Sequence, residues 1–313
     1  MKKPTGTRAQ LSQLATEQSN PASANLDRKS ALEIARIINA EDTRVAAAVK
    51  RALPQIAKAI DLIAESLRKG GRLIYVGTGT SGRIAALDAA ECPPTFNADP
   101  KTVQFIIAGG PGALGAAVEA NEDSAALGES EIARRKPGKN DVVVGIAASG
   151  RTPFTIAAMR YARRKGAKTI ALVCNPNSEL ERATHIGIVV ETGPEVISGS
   201  TRMKAGTAQK MVLNMLSSGT FARMGYVYGN LMVNVRPKNH KLAVRAVRIL
   251  ERAANIPHAK ARKALEASGS SVPAALVMLE TGASLSGAEE ALESVRGNVR
   301  DAIALARRGG IES

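Results

Sequence analysis

The chain has 313 residues, of which 44% are hydrophobic and only 3% aromatic, and it carries a formal net charge of +15. That length suits one large domain with a satellite, or two domains, with a core that Leu, Ile, Val and Ala must fill. It holds no apolar run near the ~20 residues a membrane span needs, and its basic start, MKKPTGTRAQLSQLATEQSN, lacks the apolar stretch of a secretory signal.

The charge invites a nucleic-acid partner, but its distribution argues against one. Residues 236–313 carry +5 and the rest +10, so the excess is spread along the chain. No aromatic side chains are interleaved with it for base stacking. Cys92 and Cys174 lie far apart and form no disulfide framework, which points to a reducing, cytoplasmic setting. Cys92 reads as a small apolar filler rather than a nucleophile, because no His lies near it.

In chain order, residues 1–20 are polar and bounded by prolines, and are expected to be loosely ordered. Ser30 with Glu33 has capping-box spacing and opens a helix. A second helix fits Glu41 to about Ala52, and a third Gln55 to Lys69, stopped by Gly70-Gly71. Five apolar runs follow, Leu73–Val76, Val103–Ala108, Val142–Ala147, Thr169–Val173 and Ile186–Val190, Val- and Ile-rich without polar alternation. Such runs are parallel strands covered on both faces. Helical segments lie between them at Ile84–Ala90, Ala113–Leu127, Phe154–Lys165 and Glu179–Arg182, and a long helix, Ala205–Met224, comes after the last. This alternation predicts an α/β, doubly wound, parallel five-stranded sheet. The remaining residues read as four or five short helices broken at Pro257, Ser268–Ser271, Gly282–Ala283 and Gly297, a small C-terminal helical bundle. The organisation expected is residues 1–20 as a flexible N-terminus, 21–61 as N-terminal helices, 62–235 as the α/β domain and 236–313 as the bundle.

Ligands of such sheets sit beyond the carboxyl ends of the strands, and three hydroxyl-rich loops fall there. The first, Gly77–Gly82, carries Thr78, Thr80 and Ser81 before a helix whose N-terminus suits an anion. Its glycines spell G-x-G-x-x-G, but the second strand ends in Gly109-Gly110 without the acidic residue that a dinucleotide ribose requires. The second loop, Ala148–Pro153, offers Ser149, Arg151 and Thr152. The third, Ser198–Thr207, offers Ser200, Thr201, Arg202 and Lys204. Three such loops at one sheet edge point to a phosphate-ester pocket. Glu91 stands just beyond the first helix, before a Pro-Pro stop, and Glu119, Glu122 and Asp123 form an acidic cluster after the second strand. Spacing does not separate Glu122 from Glu119, or either from a solvated helix face. His185, His240 and His258 lie in separate segments without metal-ligand spacing.

The three loops resemble the sugar isomerase (SIS) phosphosugar-binding domain. Within that group, the blocks GTGTSGRIAALDAAECPPTF, GIAASGRTPF, ISGSTRMKAGTAQKMVLNMLS and YGNLMVNV resemble the N-acetylmuramic acid 6-phosphate etherase family, as does SNPASANLDRKSALEIARIINAEDTRVAAAV. The resemblance runs from about Gln18 onward and is looser in the C-terminal bundle. It implies a carbon–oxygen lyase of cell-wall (peptidoglycan) amino-sugar recycling, working without cofactor or metal on a small-molecule sugar phosphate. It implies that Glu91 protonates the departing lactate and that Glu122 is the other acid/base residue. Phosphate holding maps by loop onto Ser81, Ser149 and Thr152, with Ser200, Thr201 and Lys204 nearby. A homodimer is expected, because loops of this domain type often complete a neighbour's pocket. Two alternatives share the pocket. A sugar-phosphate aldose–ketose isomerase would need only one base. A phosphosugar-sensing regulator would need no acid pair, but no helix-turn-helix or second loop set is present.

Overall fold

A computed structural model of the chain describes residues 14–116, 121–235, 237 and 240–309. The N-terminal helices are α1 (Ala31–Arg51) and α2 (Leu53–Arg68). The capping box forms, with the Glu33 carboxylate accepting from the Ser30 amide at 2.8 Å. The two helices expected between Ser30 and Ala52 are one, since Asn39-Ala40 contains neither Gly nor Pro to interrupt the backbone ladder. Of the N-terminal stretch, residues from Leu14 on are anchored by side chains: Thr16 and Asn20 are buried, and Asn175 donates to the Thr16 hydroxyl at 3.0 Å.

The sheet is parallel throughout, in the order β2-β1-β3-β4-β5. Its strands are β1 (Leu73–Gly77), β2 (Val103–Ile107), β3 (Val142–Ile146), β4 (Lys168–Val173) and β5 (Ile186–Val189), each within a residue or so of its apolar run. Helix α3 (Gly79–Phe96) follows β1, α4 (Ala125–Arg134) precedes β3, and α5 (Pro153–Arg164) follows it. The short α6 (Glu179–Arg182) lies between β4 and β5, and α7 (Lys204–Arg223) follows β5. One sheet face packs on α5 through Phe154, Met159 and Ala162, all fully buried, and α2 covers part of the other with Ile56 and Ile63. Covering on both faces is why the strands read as unbroken apolar runs.

The expected Pro-Pro stop does not end α3. The helix starts at Gly79 and continues through Pro93 and Pro94 to Phe96. A proline removes one ladder bond and crowds the preceding turn, yet here the final turn is held by buried Cys92 and by Phe96, which stacks on Phe221 at 4.5 Å. After β2 comes a 3-10 turn, Gly110–Leu114, and α4 begins only at Ala125, where Ser124 caps the Leu127 amide. The single helix expected over Ala113–Leu127 is therefore not formed. Gly112 and Gly115 weaken any helix there, and Glu119 lies outside the described residues.

The chain forms two compact units, one made of residues up to Ala89 with Lys101–Ser217, the other of Ala90–Pro100 with Ser218 onward. The second unit contains five described helices, α8 (His240–Ala254), α9 (His258–Ala267), α10 (Val272–Thr281), α11 (Leu285–Ser294) and α12 (Val299–Gly309). They are broken where the sequence places the breakers, and surround a core that includes Val233, Leu250, Ala275, Leu276 and Ala302. Among the described residues no helix is long and apolar enough to cross a membrane.

In the first unit, β1, α3 and α7 are fastened by a buried carboxylate. Asp88 accepts from the Tyr75 hydroxyl at 2.9 Å, the Asn214 amide at 2.7 Å and the Ser217 hydroxyl at 3.0 Å. Asp88→Ala removes the acceptor shared by these donors and should destabilise the protein by about 3 kcal/mol, since a lost buried partner costs ~1–3 kcal/mol. A urea denaturation series with Tyr75→Phe as the milder comparison measures it.

Candidate active site

Strand order reverses at β1, whose neighbours are β2 on one side and β3 on the other. The crevice beyond the carboxyl ends at such a reversal is the ligand position of open α/β sheets. Here it is flanked by the loop after β1 and the loop after β3. The first loop is tight because it must be. A Cβ at Gly82 would lie 2.6 Å from the Ile107 side chain, so only glycine lets the first turn of α3 pass the end of β2. Gly79 holds φ at +48°, a conformation glycine adopts without strain.

Glu122 does not sit on a helix. It occupies the turn before α4, and its carbonyl accepts from the Phe154 amide at 3.1 Å. That bond ties the turn to the start of α5, directly after the second hydroxyl loop. Its carboxylate lies over the first loop: a Cβ at Gly79 would come within 3.1 Å of Glu122 Oε1. Gly79 is the first residue of α3, and the positive end of a helix dipole favours a negative charge there. An ionised carboxylate in this place can accept a proton from a substrate held by the adjoining loop.

The loop residues fall into two groups. Thr78 and Ser81 are nearly buried, Thr80 half-buried, and all three lie at the beginning of α3. Ser149 and Arg151 share the turn after β3, where the Arg151 amide donates to the Ser149 hydroxyl at 3.3 Å. Thr152 is the N-cap of α5 but its side chain caps no amide, and Pro153 follows at the first helical position. Its hydroxyl is thus not spent on its own helix. Ser200 and Thr201 belong to the turn leading into α7, half-buried. Glu91 lies on α3, exposed and among the residues of the second unit, whereas Glu122 belongs to the first.

Lys204 departs from its expected role as an anion partner. Its side chain is buried, and its ammonium meets Glu41 Oε2 at 2.6 Å. The same carboxylate accepts from Asn20 at 2.8 Å and pairs with Arg44 at 3.0 Å. Burial opposes ionisation of Glu41, but the bonds from Lys204 and Asn20 and the charges of Lys204 and Arg44 together hold its carboxyl below the usual range. Beside this pair, Glu195 is fully buried and takes the amides of Lys204 and Ala205, both at 2.9 Å, on its two carboxylate oxygens. Burial pushes the Glu195 carboxyl up, against the pull of those amides and of Lys204. The N-terminal amides of α7 are therefore occupied by a side chain of the protein. Asn20, Glu41 and Glu195 carry no local signal in the sequence, because each finds its partner only in the tertiary structure.

Gln209, on the second turn of α7, is a further residue that sequence reading passed over. It is fully buried and accepts the Ser81 hydroxyl at 3.0 Å. Cys92 and Cys174 are both buried, and burial pushes the Cys174 thiol up to about 12, which does not suit it as a nucleophile. Among the described residues, no three His, Cys, Asp or Glu side chains are grouped to hold a metal ion.

Comparison with known proteins gives the family of the chain. Residues 55–163 match the glucokinase regulatory protein N-terminal SIS domain, and residues 136–218 match the SIS domain. An N-acetylmuramic acid 6-phosphate etherase from Symbiobacterium thermophilum is 54% identical over 87% of this chain and 91% of its own. N-acetylmuramic acid 6-phosphate etherase 1 from Bacillus licheniformis is 47% identical over 94% of this chain and 97% of its own. The chain belongs to the N-acetylmuramic acid 6-phosphate etherase family. A phosphoheptose isomerase from Francisella tularensis shares the fold, with a TM-score of 0.51 at 19% identity, over 62% of this chain and all of that one.

The Lys204–Glu41 pair gives a direct test of what holds the third loop. Lys204→Met, which takes the buried cation from a carboxylate left with only Asn20 and the exposed Arg44, should cost about 3 kcal/mol in urea denaturation, and Glu41→Leu combined with it should recover most of the loss. Because the folded Glu41 carboxyl lies below its unfolded value, the pair's contribution is complete above the unfolded carboxylate range. It is lost as pH falls through the lowered value. Glu41→Gln should accordingly flatten the acid limb of the stability profile.

Proposed function

We propose that the protein is a lyase-type etherase that removes the D-lactyl group of N-acetylmuramic acid 6-phosphate. The observation that carries this reading is the Glu122 carboxylate set over Gly79 of the hydroxyl loop, in a chain about half identical to such etherases along nearly its whole length. The products are N-acetylglucosamine 6-phosphate and D-lactate, which places the enzyme in cell-wall amino-sugar recycling.

In the ring-opened sugar the C1 aldehyde acidifies the C2 proton. Glu122 takes that proton, and electrons move into the C2–C3 bond as the C3–O bond breaks. Glu91, in its acid form, protonates the departing lactate oxygen. Water then adds at C3 of the unsaturated aldehyde and a proton returns to C2. Two carboxyl groups suffice when their protonation states are opposed at the working pH. The 6-phosphate is held by Thr78, Thr80, Ser81, Ser149 and Thr152, aided by Arg151, Ser200 and Thr201. Lys204 acts at one remove, by fixing the loop through Glu41. The same reading makes the protein a cytoplasmic homodimer, an expectation that rests on its SIS-type domain and its phosphorylated substrate.

Purified protein with N-acetylmuramic acid 6-phosphate in D₂O, followed by NMR, should release lactate and give N-acetylglucosamine 6-phosphate deuterated at C2. Glu91→Ala and Glu122→Ala should each lower kcat by about 10²–10⁴-fold, the range for loss of one general acid or base. Ketose formation without lactate release, lost in Glu122→Ala and kept in Glu91→Ala, would favour one-base isomerase chemistry. Tight binding without lactate release would favour a sensor.

A further inference from the structure

Gln209 has one half of its amide in use. Oε1 accepts the Ser81 hydroxyl at 3.0 Å, while Nε2 is buried without a partner, in a side chain only 1% exposed. Buried amide donors are nearly always bonded, so an orphan of this kind calls for a reason. The neighbour supplies one. Ser81 is on the first turn of α3, within the loop that the proposed function makes the phosphate cradle. The inference rests on that reading.

A serine hydroxyl has one proton and two lone pairs. With its O–H given to Gln209, Ser81 turns only lone pairs toward the loop, and these repel a phosphate oxygen. Half a turn of the Gln209 amide about its last torsion, a soft two-fold rotation, brings Nε2 to Ser81 Oγ as a donor. The Ser81 proton is then free to bond an anion. Without a ligand this arrangement merely exchanges an unpaired N–H for an unpaired C=O. With an anion in the loop it gains a charge-assisted hydrogen bond, roughly twice as strong as a neutral one.

We propose that Gln209 is a positioning residue that changes from acceptor to donor toward Ser81 when the substrate phosphate enters the loop. Two features of the packing suit it to this. Gly206, one turn earlier on α7, lets the helix lie against α3, since a Cβ there would already touch the Thr80 methyl at 3.4 Å. The α7 amides at Lys204 and Ala205 are held by Glu195, so the helix carrying Gln209 is fixed while its side chain turns.

The test is a double-mutant cycle with inorganic phosphate as the ligand, read as its inhibition constant, together with KM and kcat for the sugar phosphate. Ser81→Ala should weaken phosphate about tenfold, the worth of one hydrogen bond to a charged group. Gln209→Met should weaken it comparably, raising KM more than kcat falls, and the double variant should be no weaker than Ser81→Ala. Additive losses would overturn the role of Gln209 while leaving the phosphate loop intact. Unchanged phosphate binding in Ser81→Ala would instead remove the loop reading, and this proposal with it. A second measurement does not depend on Gln209→Met folding. In protein labelled with ¹⁵N at glutamine, one side-chain amide should shift on adding phosphate in the wild type and not in Ser81→Ala. No such amide in the wild type, despite bound phosphate, would overturn the switch.

Discussion

The position of β1 between β2 and β3 governs everything else at the sheet's carboxyl edge. The connection from β1 leaves toward β2, and the connection from β3 leaves toward β4, so the two loops part and a crevice opens between them. The crevice survives only if the backbone beside it stays thin. Gly82 provides this against Ile107, and Gly79 provides it against Glu122. One backbone bond, from the Phe154 amide to the Glu122 carbonyl, then fixes the acidic turn to the helix that begins after the other loop. Carboxylate, first loop and second loop are thereby built into one rigid frame.

The buried charges divide the helix ends between structure and chemistry. Glu195 fills the N-terminus of α7 with a carboxylate of the protein itself, and Lys204 turns away to Glu41. The proposed phosphate is therefore left to the α3 end and its hydroxyls, where the Ser81–Gln209 contact lies, and to the second loop with its uncapped Thr152. The third loop contributes shape rather than its lysine. In the proposed function the +15 chain would meet its anionic ligand mainly through hydroxyls, with Arg151 beside them. Such groups can bind a phosphate closely without attracting every anion in solution, as a cluster of free cations would.

Asp88 plays the corresponding role one layer down. It gathers donors from β1 and α7 onto α3, so the helix that carries the first loop cannot slide against either neighbour. Ser81 and Gln209 sit at one end of this same contact between helices. A positional error of even 1 Å there would be felt at the loop, because catalytic geometry tolerates little misplacement.

Strands, loops and the breaks between the C-terminal helices were legible in the sequence because each is written in neighbouring residues: apolar runs, Ser/Thr-Gly clusters, and Pro or Gly at fixed places. At α3 and at Glu122, where the reading erred, distant contacts shaped what a local signal had left open. Pro93-Pro94 does not end α3 because Phe96 stacks on Phe221, and Glu122 leaves the helix for a turn that α5 holds. The sequence by itself thus determined a five-stranded phosphosugar-type sheet with hydroxyl loops at its edge. Only the tertiary structure decided which polar groups remain free to act. Lys204 looks like a ligand for anions and is consumed by Glu41, while Gln209 looks like any helix residue and faces Ser81. A polar side chain buried in a protein is committed to whatever partner folding brings within 3 Å, and no local pattern encodes that partner.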